Sequence, residues 1–318
     1  MTLESSPLPS SPNTSAGLSL LRAVNAERRT QPWPQPYHET RHVLRRADAR
    51  DLSWVAPQSV HLIVTSPPYW TLKAYAPGNA AQLGDVQAYG AFLDALDEVW
   101  RGCVQALVPG GRLCIVVGDV CLPRKQAGRH HVMPLHADLQ VRARAHGLDV
   151  LTPVLWHKIA NGRTEAAGNG AGFYGKPYQP GGIIKNDLEY VLLLRKPGAY
   201  RQPSRLQQEL SVLTKAEMQA WFRSIWTDLP GASTQRGHPA PFPVALAERL
   251  IRMFSFAGDT VLDPFAGSGT TLHAAARAGR HSLGGEVEAQ YVALAAANLS
   301  RALAALDPLT PTARLHVE

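Results

Sequence analysis

Two short runs in this 318-residue chain combine residue types that could do chemistry. The first is Thr65-Ser66-Pro67-Pro68-Tyr69-Trp70. It follows Val60-His61-Leu62-Ile63-Val64, a short β-branched run that reads as a buried strand. Neither proline has an N–H to extend a ladder, so the strand must end there in a rigid loop. Ligands of open α/β sheets bind at such C-terminal strand ends. The Ser66 Oγ and the Pro67 carbonyl could accept both hydrogens of an exocyclic amine on a flat ring, with Tyr69 and Trp70 offering aromatic faces. Taken alone, the run reads better as a proline-stiffened surface turn.

The second run is Thr260-Val261-Leu262-Asp263-Pro264-Phe265-Ala266-Gly267-Ser268-Gly269-Thr270-Thr271. It reads as a strand, an acid, a glycine-rich turn and then a helix from Leu272 to Ala278. The two glycines allow close approach of the backbone to a ligand. A phosphate-binding P-loop needs Lys before the final Thr, where this chain has Thr270. A dinucleotide fingerprint needs a third glycine where this chain has Leu272. Downstream, Ser282-Leu283-Gly284-Gly285-Glu286 reads as the next strand, ending in a carboxylate 17 residues past Gly269. An acid so placed can accept both hydroxyls of a ribose, although a solvent-facing Glu would look the same.

Together the two runs resemble the amino-methylating DNA methyltransferases, which modify cytosine at its 4-amino or adenine at its 6-amino nitrogen. The order of parts, with the catalytic motif about two hundred residues before the cofactor motif, resembles the subgroup whose cofactor half is C-terminal. The likeness runs in scattered motifs from about Val43 to Leu299 and is most specific at 65–70 and 261–271. It implies catalytic roles for Ser66, Pro67, Pro68 and Tyr69. It implies S-adenosylmethionine as cofactor, held by Asp263, Pro264, Phe265, Gly267, Ser268, Gly269 and Thr270. That molecule has no phosphates and a cationic amino-acid end, which suits the acidic Asp263. Three further contacts follow from the resemblance: Asp48 on the adenine amine, Glu286 on the ribose and Phe242 as an apolar wall. A capping role for Asp48 and core packing for Phe242 are the plainer readings of those residues.

The resemblance also implies double-stranded DNA as partner, with the target base flipped out of the stack at a cost of a few kcal/mol. Ser66 is a poor base at neutral pH, so the amine proton is expected to leave after methyl transfer. Ring-carbon cytosine methylation would need a nucleophilic cysteine, usually after a proline, and none of the three cysteines follows one. Ser-headed motifs are commoner in N4-cytosine enzymes and Asp- or Asn-headed ones in N6-adenine enzymes, so cytosine is favoured and adenine is the alternative. A DNA-binding protein that kept the fold and lost catalysis is the second alternative. A cognate restriction endonuclease is compatible with the resemblance; recognition sequence and oligomeric state are not legible.

The elements needed to position these loops are also visible. Tyr89, Phe92, Leu93, Leu96, Trp100, Val104 and Leu107 recur at helical spacing up to Pro109-Gly110-Gly111, and Leu113–Val117 reads as a buried strand. A helix is expected over Leu135–His146, strands over Val150–Trp156 and Tyr190–Leu194, and an amphipathic helix over Val244–Phe254. Alternating helices and strands predict an α/β fold: a doubly wound, mostly parallel sheet of the S-adenosylmethionine-dependent methyltransferase type, with a small irregular target-recognition region.

The expected organisation is a disordered or draped arm at 1–36, a catalytic half at 37–196, a target-recognition region at 197–236 with a helix over Thr214–Ile225, a cofactor half at 237–306 and a tail at 307–318. Within the catalytic half, residues 159–187 mix seven glycines with basic and aromatic residues, which suits phosphates and unstacked bases. Lys73, Lys158, Arg163, Lys176 and Lys185 are the expected DNA contacts. A net charge of +7 agrees with an anionic partner. No apolar run approaches a membrane span, and no signal-peptide pattern opens the chain. Cys103, Cys114 and Cys121 form no C-x-x-C pair, which argues against a disulfide framework and a metal site, and for a reducing, cytoplasmic setting.

Overall fold

The computed structural model describes residues 14–71, 81–158, 186–231 and 242–318, together with the backbone of 173–174 and 183–184. Helix α1 (Ser15–Arg28) precedes strands β1 (Glu39–Arg46) and β2 (Val60–Thr65). A 3-10 turn (Leu83–Asp85) leads into α2 (Tyr89–Ala106) and β3 (Leu107–Val117). The hairpin strands β4 (Val120–Leu122) and β5 (His131–Met133) flank α3 (Arg124–Ala127). Helix α4 (Leu135–Ala145), β6 (Asp149–Val150) and β7 (Val154–His157) follow. Next come the short pair β8 (Phe173–Tyr174) and β9 (Ile183–Ile184), and β10 (Leu188–Arg195). The chain continues through α5 (Arg205–Ser211), α6 (Lys215–Trp221), β11 (Ile225–Trp226), α7 (Val244–Phe254), β12 (Thr260–Asp263), α8 (Thr270–Arg277), β13 (His281–Glu286), α9 (Ala289–Ala304) and β14 (Thr312–Val317).

The main sheet runs β11-β7-β10-β3-β2-β12-β13-β1-β14, with β6 also paired to β10. From β3 to β14 every pairing is parallel, and β10 is antiparallel to its neighbours. Alternation along β2 serves both faces: Ile63 packs with α2 and α4, while Leu62 and Val64 pack with α7 and α8. A sheet covered on both faces needs near-continuous apolar strands, which is what β2, β3 and β12 supply. The α/β, mostly parallel architecture expected from the sequence is therefore the one found. Because β2 and β12 are adjacent and parallel, the loops after Thr65 and after Asp263 leave the sheet side by side.

Several boundaries differ from expectation. Helix α2 stops at Ala106, because Leu107 is already extended and opens β3. Pro109-Gly110-Gly111 thus lies inside β3, where its pairing with β2 shifts register between Val60 and Leu62. Gly110 has φ +75, and a Cβ there would sit 2.8 Å from the Ala199 carbonyl oxygen. The strand expected over Val150–Trp156 is split into β6 and β7. The helix expected over Thr214–Ile225 is confined to α6, capped by Thr214 and Glu217 in a reciprocal box.

The described residues near both ends of the chain include regular elements where an arm and a tail were expected; residues 1–13 lie outside the described residues. Residues 307–318 contain β14, an edge strand parallel to β1. Within 1–36, the described part forms α1, capped by Thr14 and docked on α5. The docking is polar: Asn25 Nδ2 donates to the Glu209 carbonyl at 2.6 Å, and the Glu209 carboxylate pairs with Arg28 and Arg205. Helices α5 and α6 lie at the strand-entry end of the sheet, where Gln207 Nε2 donates to the Ala257 carbonyl and Glu217 pairs with Arg252. Among the described residues of 197–236, the stretch after β11 reaches the strand-exit end, with Gly231 against Lys158.

Asn25 is buried, and its amide satisfies a buried carbonyl. Asn25→Ala is expected to lower stability by about 1–2 kcal/mol, read from urea unfolding. An unchanged midpoint would show that α1 is not docked in solution.

Candidate active site

The loop after β2 and the loop after β12 line one cleft at the strand-exit end, with about 590 Å³ of empty space. Ser66, Pro67 and Pro68 form one wall. Pro264, Phe265, Gly267 and Glu286 form another, and Ala47, Asp48 and Ala49, just past β1, close the side. Residues from both sequence motifs, from the Asp48 segment and from the end of β13 are thus brought together.

The joint between the two loops is Asp263. Its carboxylate is 1 % exposed and accepts hydrogen bonds from Thr65 Oγ1 (2.7 Å), Thr271 Oγ1 (2.6 Å) and the Phe265 backbone N–H (3.0 Å). Asp263 therefore does not face the cleft, and the expected ligand contact is corrected to a positioning role. Burial pushes its carboxyl up to about 6, against the three hydrogen bonds, which favour the anion. Gly269, with φ +86, caps α8 and packs on Leu299; Ser268 and Thr270 face each other at 3.3 Å. None of the three lines the cleft, so the turn contributes Pro264, Phe265 and Gly267.

Glu286 is the acid that does face it. Its two oxygens accept the Gly267 N–H (3.0 Å) and the Glu288 N–H (2.9 Å). These bonds fix the carboxylate and leave further lone pairs for hydroxyl donors. Burial raises its pKa, opposed by those two bonds, with Asp263 and Glu288 pushing it further up. Asp48 lines the cleft too, but its oxygens are held by the Arg50 guanidinium at 2.6–3.1 Å. An incoming amine would share that carboxylate with Arg50.

On the catalytic side, Ser66 Oγ lies 3.4 Å from the Tyr69 hydroxyl, and the Tyr69 ring rests against Gly118, where a Cβ would sit 3.3 Å from it. Trp70 is partly buried and tied into the fold. Its Nε1 donates to the Val86 carbonyl at 2.9 Å, its ring meets Tyr89 edge-on, and its backbone has φ +47. Phe242 packs against the core beneath α7 and does not line the cleft, so the apolar wall is Phe265 instead.

Sequence reasoning missed Ala81, Gln82, Leu83, Val287 and Tyr291, which complete the lining. Gln82 is 6 % exposed and its Nε2 donates to Glu288 Oε1 at 3.3 Å, tying the segment before α2 to the end of β13. The position of Val287 and Tyr291 just after Glu286 was the available signal.

Of the expected DNA contacts, Lys158 is described: its Nζ pairs with Glu189 Oε1 at 2.7 Å. It is therefore half of a partly buried ion pair. Lys73, Arg163, Lys176 and Lys185 lie outside the described residues. Burial pushes all three thiols up, Cys114 to about 12, so none is poised as a nucleophile. Among the described residues, no helix is long and apolar enough to cross a membrane.

The chain is similar to known proteins over most of its length. A family model described as DNA methylase matches residues 60–297. The Type II methyltransferase M.MjaI of Methanocaldococcus jannaschii is 32% identical over 278 residues, covering 78% of this chain and 88% of the relative. The Type II methyltransferase M.MthZI of Methanothermobacter thermautotrophicus is 30% identical over 285 residues, covering 83% and 78%. Among solved structures, a candidate DNA modification methylase of Thermus thermophilus, complexed with S-adenosyl-L-methionine, is 48% identical. It matches with a TM-score of 0.68 over 87% of this chain and 99% of that one.

The burial of Asp263 makes a pH prediction. Its folded pKa lies above the ordinary 3.8, so the native state holds this proton more tightly than the unfolded chain does. The carboxyl's contribution to stability is greatest below pH 3.8 and is lost as pH rises through about 6. Relative to Asp263→Asn, the native protein should lose up to about 1.4 kcal/mol per pH unit between pH 4 and 6 and level off above 7. Urea unfolding of both proteins across that range checks this; the opposite slope would mean that the hydrogen bonds outweigh burial.

Proposed function

This chain belongs to the DNA methylase family, and we propose that it transfers a methyl group from S-adenosylmethionine to the exocyclic N4 of cytosine in duplex DNA. The observation that carries the reading is the shared cleft: Ser66, Pro67 and Pro68 face the same space as Asp48, Phe265, Gly267 and Glu286. An amine held at one wall would meet a cofactor held at the other.

The residues present fit that cofactor. Glu286, aligned by two backbone N–H groups, suits a pair of ribose hydroxyls, and Asp48 suits an exocyclic amine. Phe265 gives an apolar surface for a flat ring, and the carboxylates of the cleft suit a molecule with cationic groups. When bound, the cofactor supplies an electrophilic methyl on a sulfonium. What the chain itself does is hold the acceptor. Ser66 Oγ and the Pro67 carbonyl accept the two amine hydrogens, fix the amine and turn its lone pair toward the cofactor wall, the kind of positioning that lowers a barrier without acid–base help. Two acceptors also stabilise the amine as it becomes more positive during transfer. The proton then leaves to solvent, since no described group beside Ser66 is a strong base. The Ser-headed form of the loop supports cytosine as the target. The relatives named Type II methyltransferases support a role in a restriction-modification system.

Incubation with labelled S-adenosylmethionine and mixed genomic DNA, followed by nucleoside mass analysis, tests the assignment. N4-methylcytosine is expected. N6-methyladenine would overturn the choice of base, and no labelled nucleoside would overturn the activity. Ser66→Ala is expected to lower kcat by about 10²–10³-fold with cofactor Kd within about twofold. Glu286→Gln should instead weaken cofactor binding by about tenfold, read by calorimetry. A Ser66 variant with full turnover would sink the mechanism.

A further inference from the structure

A second cavity, larger than the catalytic cleft at about 820 Å³ of empty space, opens at the other end of the sheet. Its walls come from the entry ends of β2 and β3 (His61, Gly110–Arg112), the segment after β10 (Tyr200, Arg201), the end of α5, and the last turn of α7 with the two residues after it. Three of the side chains lining it are arginines, Arg112, Arg201 and Arg252, and none of its lining residues is Asp or Glu.

Each guanidinium is braced against an aromatic ring. Arg112 lies 4.6 Å from the centroid of Phe254, Arg201 5.3 Å from Phe256 and Arg252 4.9 Å from Trp221. Two are also held by carboxylates outside the lining: Arg201 by the buried Asp259, and Arg252 by Glu217 at 2.6 Å. Arg112 has no carboxylate partner among the described residues, so the cavity keeps an uncompensated positive charge. His61 adds a donor. Its Nδ1 accepts the Thr260 N–H at 3.0 Å, which leaves the proton of the neutral ring on Nε2, and burial keeps the ring neutral. The Ser211 hydroxyl oxygen accepts the Ala257 N–H at 2.8 Å, so its own O–H is a further donor in the lining. The cavity thus gathers planar cationic forks and neutral donors with no acidic group among its lining residues, and it has room for more than one small ion.

We propose that this cavity is a binding site for a phosphate-bearing anion, with Arg112 as its principal anchor. Guanidinium forks approaching from three elements match the several oxygens of a phosphoryl group, which can take bidentate bonds from more than one arginine. The site lies at the strand-entry end, whereas the methyl-transfer cleft lies at the strand-exit end, so it stands independently of the catalytic reading. The phosphoryl group could belong to a free phosphate ester or to the backbone of a nucleic acid, and both present the same chemistry to Arg112.

Calorimetric titration of the full chain with inorganic pyrophosphate, at low ionic strength, tests the proposal. Saturable binding at one site per chain is expected, weakened at least about tenfold in Arg112→Gln. Arg112→Lys, which keeps the charge and loses the fork, should weaken binding at least about threefold. The urea unfolding midpoint reports folding, and if Arg112→Gln fails to fold, Arg112→Lys carries the comparison. Ribose 5-phosphate and a short duplex are then used as competitors. Displacement by the ester alone identifies a free phosphate ester, and displacement by the duplex identifies a nucleic acid backbone. Absence of saturable pyrophosphate binding, or equal binding by the native protein and both Arg112 variants, overturns the site.

Discussion

The buried carboxylate of Asp263 is the interaction on which the rest of the site depends. Thr65 and Asp263 are 198 residues apart, yet a 2.7 Å hydrogen bond joins the last residue of β2 to the last residue of β12. Thr271, on the first turn of α8, donates to the other carboxylate oxygen at 2.6 Å, and the Phe265 N–H turns the chain between them. One side chain therefore fixes the catalytic loop, the cofactor turn and the start of the helix behind it. A carboxylate has enough lone pairs to accept all three donors in the anionic state, whereas an amide would set one N–H₂ against a hydroxyl. Holding that charge away from water is costly, and burial is the cause that raises its pKa. Three converging hydrogen bonds offset it in part, and they make the geometry of the cleft a property of the core.

That arrangement explains which parts of the protein could be read from sequence. Helix α7 matches its expected bounds because its buried face recurs with helical period, and α8 and β13 follow because a strand, a glycine turn and a helix leave distinct local marks. The role of Asp263 was not legible. An acid beside a glycine loop looks the same whether it faces a ligand or the core. Its direction is set by Thr65 and Thr271, of which Thr65 is remote in sequence. Phe242 and Phe265 show the same ambiguity, since an aromatic residue near a cofactor motif can serve either the wall or the core. The pairing of Asp48 with Arg50 needed no distant contact, but a charged pair two residues apart meets only when the backbone turns between them, as it does here through the Asp51 N–H to Asp48 carbonyl bond.

Helix α1 and strand β14, near the two ends of the chain, were not legible for a different reason. Helix α1 docks through Asn25, Arg22 and Arg28, with only Leu21 and Asn25 buried, so it carries no apolar stripe to detect. Strand β14 is an edge strand whose residues are all at least partly exposed, and its partner β1 lies at the opposite end of the chain. Capping boxes at Ser204–Gln207 and Thr214–Glu217 were, by contrast, visible signals that would have bounded α5 and α6. Long-range polar contacts organise this protein as much as apolar periodicity does, and sequence patterns record the second far better than the first.

Charge is divided between the two ends of the sheet. At the strand-exit end, Asp48, paired with Arg50, and Glu286 face the cleft, and Glu288 stands behind them. At the strand-entry end, arginines stacked on aromatic rings line a cavity without an acid among its lining residues. Net charge is therefore a poor guide to what each surface prefers, because many of the described arginines are already committed to carboxylates within the fold. For the proposed cofactor the acidic end is the suitable one. Hydroxyl and ammonium donors reaching Glu286 would stabilise its anion, working against the burial that raises its pKa. The same desolvation that makes Glu286 costly when the cleft holds only solvent makes its hydrogen bonds to a bound donor stronger. A site built this way gains selectivity for a cationic, hydroxyl-bearing ligand from a carboxylate that the fold has aligned with two backbone N–H groups and left only partly satisfied.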